Sequence, residues 1–161
     1  MKITTSFFLI IALSALCIID GFAQESLKTS MLEEVNNLRR FGCKCGEDFM
    51  PPVPALVWNK KLELAASRHA RDMYGNDLSG HRGSNGSLPD DRINGAGYQW
   101  AMCGENVASG FYSVKDVVNG WKNSPGHCRN MMDADFREMG AARKGTYWVQ
   151  NFGTAKPLTY K

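Results

Sequence analysis

Beyond residue 23 the apolar positions fall into stretches of differing period. Leu27, Met31, Leu32, Val35 and Leu38 recur at helical spacing, with Glu33 and Glu34 among them. They predict a first helix that ends at Gly42 and carries Arg39 and Arg40 in its last turn, where the helix dipole favours cations. Asn59 suits a cap, and after it Leu62, Ala65, Ala66, His69 and Met73 form the buried stripe of a second helix. Val114, Val117, Val118 and Trp121 form a third, opened by the capping box Ser113-Val114-Lys115-Asp116. Ser124-Pro125 starts a short fourth, with Ser124 as the expected cap and His127 in the first turn.

The remaining segments read differently. Residues 43–54, rich in Cys and Pro, are expected to form an irregular surface loop, and the Gly-, Asn-, Asp- and Ser-rich stretch from Gly75 to Gly97 a long loop holding His81. Glu138–Ala142 and Thr146–Phe152, around Arg143-Lys144-Gly145, predict a terminal hairpin. Helices followed by such a hairpin point to an α+β fold.

The N-terminus adds a compartment. Lys2 precedes an almost uncharged run from Ile3 to Ile19, which closes on Gly21-Phe22-Ala23. The run is short for a membrane span and suits a signal peptide over residues 1–23, so the mature protein is expected to begin at Gln24 and to be secreted. Cys17 follows Leu16 instead of a small residue, which argues against lipidation. Residues 24–161 then suffice for one domain, with no transmembrane segment. The net charge of +3 is spread along the chain and gives no support to nucleic-acid binding.

Cys43, Cys45, Cys103 and Cys128 remain after cleavage, an even number in an exported chain, and predict disulfides. Cys43-Lys44-Cys45 lacks the spacing of a zinc knuckle, and a bond between those two would close a very small ring. Long-range pairing is favoured.

Six segments, in order, carry a resemblance: Val35-Asn36-Asn37-Leu38-Arg39; Leu56-Val57-Trp58-Asn59; Ser79-Gly80-His81-Arg82-Gly83-Ser84; Gly104-Glu105-Asn106-Val107-Ala108; Gly120-Trp121 with Ser124-Pro125-Gly126-His127; and Tyr147-Trp148-Val149-Gln150-Asn151-Phe152-Gly153. Together they resemble the CAP superfamily, also called the SCP or pathogenesis-related-1-like superfamily, in the form common among small secreted proteins. The resemblance implies a three-layer α-β-α sandwich with a small antiparallel sheet, and a cleft lined by two histidines and two glutamates. His81, Glu105 and His127 match three of these four. The second glutamate is missing, since its neighbourhood reads Trp121-Lys122-Asn123-Ser124. The resemblance also implies a Cys45–Cys128 disulfide, which leaves Cys43 for Cys103.

His81, Glu105 and His127 are therefore the candidate catalytic residues, and His81 and His127 the candidate metal ligands. Two imidazoles make a weak site for a divalent metal such as zinc, because catalytic zinc usually has three protein ligands. No cofactor is expected to be required. His69, on the apolar stripe, reads as a structural core histidine, and Glu138 as a strand-opening edge charge outside the site. Ser84, Ser109 and Ser124 lack the nucleophile elbow of a serine hydrolase. Trp121 and Trp148 suit the core, whereas Phe111-Tyr112 is the better candidate for an exposed lipid contact. The leading expectation is a non-enzymatic extracellular module whose cleft binds a lipid, glycan or protein partner. The competing one is a metal-assisted hydrolase or protease using His81, Glu105 and His127.

Overall fold

The computed structural model describes residues 24–157; the signal peptide expected over residues 1–23, with Cys17, lies outside them. Helix α1 (24–41) is followed by β1 (Cys43–Cys45), β2 (Asp48–Met50), β3 (Val57–Trp58), α2 (Lys60–Asn76) and α3 (Pro89–Gly95). Then come β4 (Trp100–Ala108), α4 (Val114–Lys122), α5 (Pro125–Met132), β5 (Glu138–Lys144) and β6 (Tyr147–Ala155). Among the described residues no helix is long and apolar enough to cross a membrane.

Local chemistry sets the boundaries. Gly42 follows α1 at φ 73°, a left-handed conformation that only glycine adopts at little cost. Asn59 caps α2 by accepting from the backbone N–H groups of Lys61 and Leu62, and Ser113 caps α4 by accepting from Asp116. Ser124 stands at the cap position of α5 without a side-chain cap bond, contrary to expectation; Pro125 at the first position still opens the helix through its fixed φ.

The main sheet has the order β3-β5-β6-β4. The predicted hairpin is β5–β6, and β4 joins it antiparallel, while the two residues of β3 run parallel to β5. Alternation along the strands separates two apolar layers. Met139, Ala141, Trp148 and Phe152 face α1, α4 and α5, meeting Met31, Val35, Val117, Val118, Trp121 and Met131. Ala142 and Val149 face the other way and pack on Ala66, Ala70 and Met73 of α2. The outcome is the α-β-α sandwich. At Gly140 the strand and α2 touch with no side chain between them, since a β-carbon there would lie 2.6 Å from the carbonyl carbon of Leu62.

The surface loop expected at 43–54 contains the small hairpin β1–β2. It is tethered by the Cys45–Cys128 disulfide, with Cα atoms 5.4 Å apart. The expected Cys43–Cys103 partner bond does not form. Cys43 lies buried against Cys45, Cys128 and Met132, whereas Cys103 projects from β4 among Tyr98, Leu62 and Ile93. The two thiols thus sit in different apolar clusters.

Arg39 is a further correction. It is fully buried instead of serving the helix dipole at the surface, and it donates to the carbonyls of Pro54 (2.7 Å), Met131 (2.7 Å), Asp133 (2.9 Å) and Phe136 (3.3 Å).

Candidate functional site

The site is built around β4, the edge strand next to β6. Glu105 pairs with Asn151 and Asn106 with Gln150, so the two neighbours point to opposite faces of the sheet. Glu105 points to the α2–α3 side. Its side chain is 1% exposed, and its two oxygens accept from Nη2 of Arg92 at 3.0 and 2.8 Å. Arg92, itself buried in α3, also donates to the carbonyls of His81 and Ser87, both at 2.9 Å, and so fixes the loop that carries His81.

His81 completes this side. Its Nδ1 is 2.9 Å from Glu105 Oε1, and its side chain is 48% exposed. A carboxylate held by a guanidinium accepts only, so Nδ1 carries a proton, and in the neutral ring the lone pair sits on Nε2. Asn106 serves the other side, donating to the carbonyl of His127 at 3.1 Å and accepting from Asn130 at 2.9 Å. Asn130 reaches back to the carbonyl of Glu105 at 3.2 Å. The Glu-Asn pair on one edge strand thereby anchors both histidine-bearing segments.

Burial lowers the pKa of His127, and the neighbouring His81 lowers it further. Both influences favour the neutral imidazole. His81, Glu105 and His127 do not converge as three ligands: among the described residues, only the sulfurs of Cys43, Cys45 and Cys128 form a set of three potential ligand atoms all within 4.8 Å of one another.

The other candidates sort as follows. His69 is buried in α2 with Nε2 2.9 Å from the carbonyl of Gly80, and burial, its largest influence, lowers its pKa. It is a hydrogen-bonded core histidine, as its stripe position suggested. Glu138 is half-buried instead of an exposed edge charge, and it accepts from Asn59 and from the hydroxyl of Tyr98, whose pKa is raised by burial first and by Glu138 next. Ser84 is committed to Asp72. Phe111 packs on the core and only Tyr112 is strongly exposed, at 74%, so half of the proposed contact pair is structural.

Arg92 is the residue that the sequence reading missed. A signal for it existed: Leu88-Pro89-Asp90-Asp91 opens a helix, with Pro89 at its first position and Asp91 accepting from the backbone N–H of Leu88 at 3.0 Å. Recognising α3 inside the expected loop would have placed Arg92 on an ordered element.

Comparison with known proteins agrees with this architecture. An extracellular protein containing an SCP domain from Bacillus anthracis superposes with a TM-score of 0.71 at 23% identity, over 81% of this chain and 41% of that one. An outer surface protein of Borrelia burgdorferi gives 0.70 at 25% identity, over 83% of this chain and 96% of its own. The Bacillus subtilis protein YkwD is 28% identical over 96 residues, 58% of this chain but 37% of YkwD, so the match spans little more than a third of that relative. The family model for CAP, the Cysteine-rich secretory protein family, matches residues 32–152, from α1 through β6, and the chain belongs to that family.

Proposed function

We propose that the protein is an exported, non-enzymatic binding module that presents the surface around His81 and His127 to an extracellular lipid, glycan or protein. The observation that carries this reading is the state of Glu105. A general base needs a free lone pair within reach of the proton it removes. Glu105 is buried, and both its oxygens are engaged by Arg92 and by the Nδ1–H of His81. The position after Trp121 where the family's fuller pattern has a second carboxylate offers Lys122, Asn123 and Ser124. Export is part of the proposal, supported by the apolar run Ile3–Ile19 and by the extracellular and outer-surface descriptions of the two structural neighbours.

A weak divalent-metal site at His81 and His127 belongs to the same proposal. Glu105 holds the Nδ1 side of His81, the arrangement that orients a metal-binding histidine, and burial favours the neutral form of His127. The two rings would hold zinc without a third protein ligand, consistent with loose binding.

Purified protein titrated with zinc and assayed on a mixed peptide and ester panel, beside the His81→Ala/His127→Ala double variant, tests both statements. Weak zinc binding that the double variant loses, without turnover in either protein, is expected. Turnover that disappears in the double variant would overturn the binding-module reading in favour of a metal-assisted hydrolase. Zinc affinity unchanged in the double variant would remove the two histidines as ligands.

A further inference from the structure

Cys43 and Cys45 stand two residues apart in the extended strand β1, so both side chains take its buried face while Lys44 faces water. The same face meets α5, and both sulfurs there reach one partner. Cys45 is bonded to Cys128, and the free thiol of Cys43 lies 3.8 Å from Cys128 Sγ. All three sulfurs are within 4.8 Å of one another, enclosed by Leu38, Met50, Val53 and Met132. An attacking thiol stands in line with the S–S bond, which would set the Cys43 and Cys45 sulfurs further apart than they lie here, so Cys43, already in contact with Cys128, rotates into line before exchange.

We propose that Cys43, Cys45 and Cys128 form an internal exchange centre in which Cys128 is bonded alternately to Cys45 and to Cys43. Cys43 loses its proton to solvent, and its sulfur attacks Sγ of Cys128. The Cys43–Cys128 bond forms as the Cys45–Cys128 bond breaks, and Cys45 leaves as a thiolate that takes up a proton. One thiol and one disulfide are present before and after, so neither oxidant nor reductant is consumed. The two isomers are nearly matched in the unfolded chain as well, since their bonds span 83 and 85 residues. Burial raises the pKa of the Cys43 thiol, against the pull of Lys122, so exchange at neutral pH is slow. In both isomers the β1–β2 hairpin stays fastened to α5, the helix whose first turn carries His127.

Trypsin decides the matter because it cleaves after Lys44 and places the two cysteines of β1 on different peptides. The purified oxidised protein is held without added thiol at about pH 8.5, near the ordinary cysteine pKa. Free thiols are then blocked under denaturing conditions and the protein is digested. Residues 123–129 are expected to be linked to the Cys43 peptide in one fraction and to the Cys45 peptide in the rest, each with the complementary cysteine blocked. A Cys45–Cys128 link alone after prolonged incubation overturns the proposal, as does a link from Cys128 to Cys103. In Cys45→Ser the Cys43–Cys128 bond is expected to form in the folded, oxidised protein; blocked thiols at both Cys43 and Cys128 overturn it. Should that variant fail to fold, the wild-type digest alone decides.

Discussion

Two buried arginines hold two different regions of the molecule. Arg39, at the end of α1, donates only to backbone carbonyls and so joins the approach to β3, the end of α5 and the approach to β5. Arg92, in α3, gives its charge to the carboxylate of Glu105. Burial lowers the pKa of Arg39 to about 10, which still leaves it protonated at neutral pH. Its charge is solvated by peptide dipoles, and its work is mechanical. Arg92 meets the carboxylate of the candidate site, and the bond Glu105 makes with His81 decides which ring nitrogen faces it. The same side chain, buried in both places, is framework in one and counter-ion in the other.

The largest expected effect lies on the framework side. Arg39→Met takes a donor from four carbonyls, those of Met131 and Phe136 in buried bonds, and should lower the unfolding free energy by about 4 kcal/mol, measured as a fall in urea midpoint. A loss below about 1 kcal/mol, the range of ordinary surface changes, would break the contrast. On the site side, Arg92→Met strands a buried carboxylate and should cost about 3 kcal/mol. Adding Glu105→Gln should recover part of that loss, and a double-mutant cycle with coupling below about 0.5 kcal/mol would show that the two do not act as a pair.

The pH dependence should come from two histidines, one of them at the site. His69 and His127 both have folded-state pKa values below the unfolded value near 6.5, so the unfolded chain binds more protons in that range. Their contribution to stability is present above about pH 6.5 and is lost as pH falls through the depressed folded values, by up to about 1.4 kcal/mol per pH unit for each group. Urea midpoints measured in chelator should therefore decline on acidification, less steeply in His127→Gln. Arg39→Met should shift the whole curve and keep its slope. The smallest effects concern the helix starts: Ser113→Ala should cost about 1 kcal/mol through its lost cap bond, and Ser124→Ala less than about 0.5 kcal/mol. Equal losses at the two serines would show that α5 relies on its cap after all.

What was legible in the sequence follows from the range of the interactions involved. The helical stripes, the Asn59 and Ser113 caps and the hairpin β5–β6 are written in residues close along the chain, and all are present. The resemblance supplied the layers, and it placed His81 beside Glu105. Strand β4 and helix α3 were hidden because β4 carries polar Glu105 and Asn106 where a strand would ordinarily bury apolar residues, and α3 is a seven-residue helix within a polar stretch. The burial of Arg39 and the separation of Cys43 from Cys103 depend on contacts between distant segments. Nothing local distinguishes an arginine that will meet four carbonyls from one that ends a helix in water.

Gly140 limits how such a protein can change. A single added carbon there runs into the first turn of α2, and the 17-residue helix would have to move as a body to make room. That helix carries His69 and delivers the chain into the loop bearing His81, so a displaced α2 would pass its shift to the Arg92–Glu105 pairing. A lineage that acquires alanine at 140 therefore faces repair at several distant positions at once. The site's room for variation is bounded by a residue that takes no part in its chemistry.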